Sequence, residues 1–145
     1  MKIAVYAICK NEEQFAEKFC KSAVDADLII VGDTGSTDDT KGALRDNGAI
    51  VYDISVRPWR FDKARDAVLA LVPDYIDACI ALDLDEVLEP GWREEIERVW
   101  KVGETTRLWY KYDWSNGVVF MCDKIHARHG YSWHHPCHEI GRAHV

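Results

Sequence analysis

Apolar residues in this chain fall into short runs separated by amphipathic stretches, and the alternation repeats. Ile3 to Ile8 is continuously apolar and reads as a buried strand. Cys9-Lys10-Asn11-Glu12-Glu13 then turns the chain, with Asn11 placed to cap a helix whose first turn is acidic. Phe15, Phe19 and Ala23 recur every four residues, so that helix has one apolar face and ends near Val24. Asp27 to Val31 is a second strand, with the uninterrupted apolar run of a parallel sheet. After the polar break Gly32 to Thr40, in which Ser36-x-x-Asp39 has capping-box spacing, a helix runs to Asn47-Gly48. Ala49 to Tyr52 is a third strand, and Asp53 to Arg60 a loop. Phe61 to Leu71 carries Ala64, Ala67, Val68 and Leu71 at helical spacing and stops before Pro73. Ala78 to Leu82 is a fourth strand, and Glu89-Pro90-Gly91-Trp92 opens a helix with Ile96, Val99 and Trp100 on one face.

Strand then helix, four times over, predicts an α/β fold: a Rossmann-like, mostly parallel sheet flanked by helices and joined by right-handed crossovers. After Gly103 the pattern changes. Arg107 to Trp114 and Val118 to Lys124 flank Ser115-Asn116-Gly117, a strong hairpin signal. The stretch from Ile125 to Val145 holds all six histidines and has little periodicity. The expectation is one domain over residues 1–145, with an α/β part (1–102) and a C-terminal antiparallel hairpin and His-rich addendum (103–145).

Composition narrows the function. A chain of 145 residues with 48% hydrophobic content is large enough to bury a core. No apolar run approaches 18 residues, so no membrane span is expected. The net charge of −7 argues against nucleic-acid binding, and an anionic ligand would need a metal or a local cation. Met1 leads straight into strand-like sequence without the features of an export signal. The five cysteines are scattered and show no C-x-x-C, so reduced core thiols and a cytoplasmic location are expected.

The chemistry concentrates after the fourth strand, in Leu82-Asp83-Leu84-Asp85-Glu86. If the strand period continues, Asp83 and Asp85 face one way and Leu84 the other. Two adjacent carboxylates repel unless a cation lies between them, and a hard divalent ion with open positions would also take phosphates; the plainer alternative is a solvated acidic turn after a core strand. Asn11, Asp33 and the Asp83/Asp85 pair all follow strand C-termini, where ligands of wound sheets bind.

Cys9-Lys10-Asn11-Glu12, Val31-Gly32-Asp33-Thr34-Gly35-Ser36-Thr37-Asp38, Phe61-Asp62-x-x-Arg65, Leu82-Asp83-Leu84-Asp85-Glu86 and His138-Glu139 occur in order along nearly the whole chain. This set resembles family 2 glycosyltransferases of the GT-A fold, in the subgroup with K-N-E, D-T-G-S-T-D, a W-x-x-[FD]-x-x-x-R-N segment, L-D-x-D-E and a late H-E. The chain departs from that pattern at Asp66, which follows Arg65 where the family has asparagine.

The resemblance implies inverting transfer of a sugar from a nucleoside-diphosphate sugar, uridine-based, to an acceptor hydroxyl on a carbohydrate, lipid or protein, with Mn²⁺ or Mg²⁺. Asp33 would contact the nucleoside, Asp83 would lie near the ribose or metal, and Asp85 would bind the metal. Arg65 and Asp62 would help hold the donor, with a surface arginine as the simpler reading of Arg65. Asn11 and Glu12 would be donor contacts or merely a cap and a first-turn acid. An inverting reaction needs a base, and Glu139 or Glu86 would supply it. His138 would be a third metal ligand. Glu86 has a structural alternative, pairing with a lysine or capping the next helix.

Trp109, Tyr110, Tyr112, Trp114, Tyr131 and Trp133 would divide between core and an acceptor-stacking surface. A structural zinc site drawn from Cys137, neighbouring histidines and Cys122 or His126 matches no common spacing. The rival readings are a nucleotide-sugar or carbohydrate-binding module without transfer, and a nucleotidyltransferase or phosphotransferase. Members of the resembled family continue beyond the late pair, and this chain stops six residues after Glu139. A compact form, a shortened chain, or a subunit whose acceptor site a partner chain completes are the expected alternatives.

Overall fold

A computed structural model describes residues 1–115, 118–134 and 140–143. Four parallel strands form its centre: β1 (Ile3–Cys9), β2 (Leu28–Asp33), β3 (Ile50–Asp53) and β4 (Ala78–Ala81). Helices α1 (Glu13–Ser22), α2 (Thr40–Asp46) and α3 (Phe61–Leu71) connect them in turn, and α4 (Trp92–Val99) follows β4. The hairpin strands β5 (Arg107–Ser115) and β6 (Val118–Ala127) complete one six-stranded sheet of order β3-β2-β1-β4-β6-β5. The alternation of apolar runs and amphipathic stretches thus maps onto the elements, and Phe61–Leu71 matches the expected helix at both ends.

The antiparallel hairpin expected after the parallel strands is present and joins the same sheet. β6 pairs antiparallel with β4, so it covers the edge that a parallel sheet ending at β4 would leave open. Its two turn residues lie outside the described residues, but Ser115 and Val118 pair across them. A second surprise is β7 (Tyr131–His134) with β8 (Ile140–Ala143), a two-stranded sheet in the stretch that shows little periodicity. β7 alternates nonetheless, with Tyr131 and Trp133 buried between two half-buried neighbours.

Each face of β1 buries its own core. Ile3, Val5, Ala7 and Cys9 pack with Ala16, Phe19 and Cys20 of α1, Leu44 of α2, and Ile96 with Trp100 at α4. Ala4 and Tyr6 face the other way, onto Val68 and Leu69 of α3 and onto Tyr131 and Trp133 of β7. Val99, expected on the buried face of α4, is instead exposed. Gly32 explains how closely α3 approaches the sheet: a Cβ there would lie 2.4 Å from Val68 Cγ2 and 2.8 Å from Ile54 Cδ1. Among the described residues, no helix is long and apolar enough to cross a membrane.

Candidate active site

The C-terminal ends of the parallel strands lie side by side, with Cys9 beside Asp33 and Asp33 beside Asp53 in the sheet register. Beyond them opens a cleft of about 450 Å³, lined by β1-end residues Cys9, Lys10 and Glu12, by Thr34, by Trp59 and Phe61, and by Arg65, Asp83 and Asp85.

Asp83 and Asp85 reach this cleft by a route other than strand alternation. β4 ends at Ala81, and Asp83 to Glu86 form a tight turn closed by the Glu86 N–H donating to the Asp83 carbonyl at 3.0 Å. Glu86 closes it a second time: its Oε1 accepts from the Asp83 N–H at 2.8 Å. Leu84 does face the other way, buried in the core.

The two acids differ in what they hold. Asp83 Oδ1 accepts from Arg65 Nη2 at 2.7 Å, and Lys124 Nζ lies 3.8 Å from its Oδ2. Burial pushes the Asp83 carboxyl up, but Arg65 and Lys124 outweigh it and leave the group below the ordinary carboxylate range. Lys124 also stands 3.6 Å from Glu86 Oε1. Glu86 is therefore the buried turn-closing and lysine-pairing residue, and it does not line the cleft. Asp85 is exposed on the cleft wall and forms no hydrogen bond or ion pair with the described residues.

Arg65 is not a surface arginine. It is 5% exposed, and its guanidinium carbon lies 5.2 Å from the centre of the Trp133 ring. The next residue, Asp66, accepts from the Trp133 backbone N–H at 2.8 Å. An asparagine side-chain oxygen could accept the same bond, so the departure from the R-N pair leaves this contact intact. Asp62 is buried and turned to its own helix end: it accepts from Arg60 at 3.0 and 2.8 Å and from the Lys63 N–H at 2.8 Å. It does not line the cleft.

The loops after β1 and β2 hold each other. Asn11 does not cap α1. It adopts a left-handed conformation (φ 51°), and its Oδ1 accepts from the Thr37 N–H at 2.7 Å and the Asp38 N–H at 3.3 Å. In return the Asn11 N–H donates to Ser36 Oγ at 2.9 Å, and the Glu12 N–H to Thr40 Oγ1 at 2.9 Å. Ser36 is likewise not a helix cap, since α2 begins only at Thr40; its hydroxyl donates to Asp33.

Asp33 organises this crossing. Its carboxylate is 1% exposed and accepts from the Gly35 and Ser36 N–H groups at 2.9 and 2.8 Å. Burial raises its pKa, but these donors together with the Ser36 hydroxyl bring it below the usual value. Its neighbour Thr34, rather than Asp33 itself, lines the cleft. Glu12 does line it, and its carboxyl is raised by burial and by the negative charges of Asp85 and Asp83.

The described residues contain no group of three acidic, histidine or cysteine side chains spaced to hold a metal. Asp85, exposed and without a partner of its own, suits a hard divalent cation better than Asp83, whose charge already meets Arg65 and Lys124. His138, Glu139 and Cys137 lie outside the described residues. His126 has both ring nitrogens engaged, by Tyr6 at 2.6 Å and the Ala127 carbonyl at 2.7 Å, which leaves it no lone pair for zinc.

No protein-family model matches the chain. Solved structures do. A glucosyl-3-phosphoglycerate synthase from M. tuberculosis is 32% identical over 59% of this chain and 35% of its own, with a TM-score of 0.51. The same enzyme in complex with Mn²⁺, uridine diphosphate and glucosyl-3-phosphoglycerate aligns over 73% of this chain and 42% of its own, at 27% identity and a TM-score of 0.58. TarS from S. aureus shares only 19% identity but covers 81% of this chain, with a TM-score of 0.63.

The fold is that of the GT-A glycosyltransferases. The chain spans about two-fifths or less of the length of these neighbours. In its GT-A frame, sequence reasoning found Glu12, Arg65, Asp83 and Asp85 on the cleft wall but missed Lys10, Thr34, Trp59 and Phe61. Trp59 and Phe61 meet edge to face at 5.2 Å and stay 44% and 39% exposed, which makes them an apolar wall open to a ligand. The signal was available in Trp59-Arg60-Phe61, one aromatic ending a loop and one opening the helix that follows.

Of the aromatic residues named as an acceptor surface, Trp109 is exposed, with Arg107 5.6 Å from its ring centre, while Tyr131 and Trp133 are core. Tyr110 is half-buried and packs against the core.

Proposed function

We propose that this chain binds a nucleoside-diphosphate sugar, uridine-based, and transfers the sugar with inversion to an acceptor hydroxyl. The single observation that carries the reading is the turn at the end of β4, which sets one cation-compensated acid and one free acid on the same cleft. The solved GT-A neighbour bound to Mn²⁺ and uridine diphosphate supports the choice of ligand.

In this reading Asp85 holds Mn²⁺ or Mg²⁺, with His138 as a further ligand. The ion's contribution is to neutralise charge that gathers on the diphosphate as the glycosidic bond breaks, without proton transfer. Asp83, its carboxylate oriented by Arg65, accepts from donor hydroxyls near the ribose. Asp33 and Asn11 act on the nucleoside side by fixing the crossing of two loops, so that Thr34 and Glu12 face the cleft. Asp62 serves by holding the start of α3, from which Arg65 projects. Trp59 and Phe61 offer the face on which a flat or sugar ring stacks.

Glu139 takes the acceptor proton, with the buried Glu86 in a positioning role. The acceptor and any partner chain that completes its site belong to the same proposal. So does a reducing cytoplasm, in keeping with Cys9, Cys20 and Cys79 as buried free thiols.

The test is release of nucleoside diphosphate from a panel of uridine, guanosine and thymidine diphosphate sugars with Mn²⁺. Metal-dependent release from a uridine donor is expected. Metal-dependent donor binding with no release for any donor and acceptor tried would instead make the chain a binding module.

A further inference from the structure

Trp133 belongs to neither the cleft wall nor the parallel sheet, yet it touches both residues of the Arg65-Asp66 pair. Its ring lies under the Arg65 guanidinium at 5.2 Å, and its backbone N–H donates to Asp66 Oδ1 at 2.8 Å. It is itself held from behind. The indole Nε1–H donates to the Tyr6 hydroxyl at 2.8 Å, and that hydroxyl donates to His126 Nε2 at 2.6 Å. His126 Nδ1 faces the Ala127 carbonyl at 2.7 Å, which fixes the proton on Nδ1 and leaves Nε2 as acceptor. The His126 ring also stacks on Tyr131 at 3.6 Å, with the planes 3° apart.

Tyr6, His126 and Trp133 are 1%, 0% and 3% exposed. Polar atoms so deep in a core are costly unless paired, so their bonds to one another leave little freedom of rotation. The chain of contacts therefore runs from the backbone of β6 through Tyr6 of β1 to the indole, and from the indole to Arg65 and Asp83.

We propose that Trp133 is a positioning residue for the donor site: it holds the Arg65 guanidinium in the plane that keeps Asp83 turned toward the cleft. The inference rests on the donor-site reading above. A guanidinium over a desolvated indole face is held there by the ring's quadrupole.

The test compares wild type with Trp133→Leu and Trp133→Phe, using the Arg65 side-chain Nε–H resonance and uridine diphosphate affinity with Mn²⁺. In wild type the Arg65 resonance carries the ring-current shift of the indole. In Trp133→Leu that shift is lost and affinity falls roughly ten-fold. Trp133→Phe restores part of both, although it lacks the indole N–H. A purely structural Trp133 would lower the melting temperature in both variants and cost Arg65 only the ring-current shift, while the exchange rate of its guanidinium protons and the nucleotide affinity stay as in wild type, and that result overturns the proposal. Should Trp133→Leu not fold, Tyr6→Phe keeps the core volume and removes the hydroxyl behind the indole; a several-fold loss of affinity is expected, and none would count against the inference. Absence of metal-dependent nucleotide binding in wild type would sink the donor-site reading, and exchange of the Arg65 guanidinium protons, slow in wild type and faster in Trp133→Leu, would then decide whether Trp133 holds it.

Discussion

Asp66 and Glu86 show how a single carboxylate can matter through backbone N–H groups rather than through a ligand. Asp66 accepts from Trp133 and Glu86 from Asp83, each at 2.8 Å. Asp66→Asn keeps an acceptor, so its stability should lie within about 0.5 kcal/mol of wild type, whereas Asp66→Ala should cost about 1–3 kcal/mol in urea denaturation. Glu86→Gln should likewise keep both closures of the turn, and Glu86→Ala should lose the side-chain closure and the Lys124 partner, with weaker nucleotide binding as the readout. At this scale the sequence was legible where chemistry is local: Asp83, Asp85 and Arg65 stood out as acids after a strand and a cation in a motif. Lys124 did not, because it reaches Asp83 and Glu86 from a strand of the hairpin, a contact no spacing rule encodes. Asn11 misled for the same reason: its oxygen serves N–H groups of the next loop, not those of its own helix.

The elements were the most legible level, because each buries a face and so must repeat its apolar residues. Phe19 on α1 and Val68 on α3 are fully buried on opposite sides of the sheet. Phe19→Ala should therefore cost about 3–5 kcal/mol. Gly32→Ala tests the seating of α3: a methyl group 2.4 Å from Val68 Cγ2 must push helix or strand aside. A loss of about 1–3 kcal/mol is expected, with the larger effect on nucleotide affinity because α3 carries Arg65. A Val68→Ala change should partly rescue Gly32→Ala by clearing that space, and a thermal melt of the double variant checks it. What the pattern could not supply was β7 and β8; Tyr131 and Trp133 of β7 are buried through a cluster formed with Tyr6 and His126 from distant parts of the chain. Nor did it place the hairpin on β4, since an antiparallel neighbour leaves no mark in β4 itself.

For the whole molecule, buried His126 ties acid stability to the cluster behind the site. Burial pulls its pKa down from 6.5 to about 4, so the folded protein holds it neutral while the unfolded chain protonates it first. Between those values the unfolded state binds more protons; stability is full above about pH 6.5 and falls toward pH 4, by on the order of 3 kcal/mol from this group. An NMR titration should find His126 neutral at pH 5, and a His126→Asn variant should show a flatter stability slope over that window. The central claim is nevertheless about the cleft, where a wound sheet, two interlocked loops and a tight turn bring one unpartnered acid to face a ligand. Calorimetric titration of uridine diphosphate, with and without Mn²⁺, into wild type and Asp85→Ala tests it most directly. The account predicts metal-dependent binding in wild type that disappears in Asp85→Ala while the variant's circular dichroism and melting temperature are unchanged; equal affinity in the two proteins would contradict it.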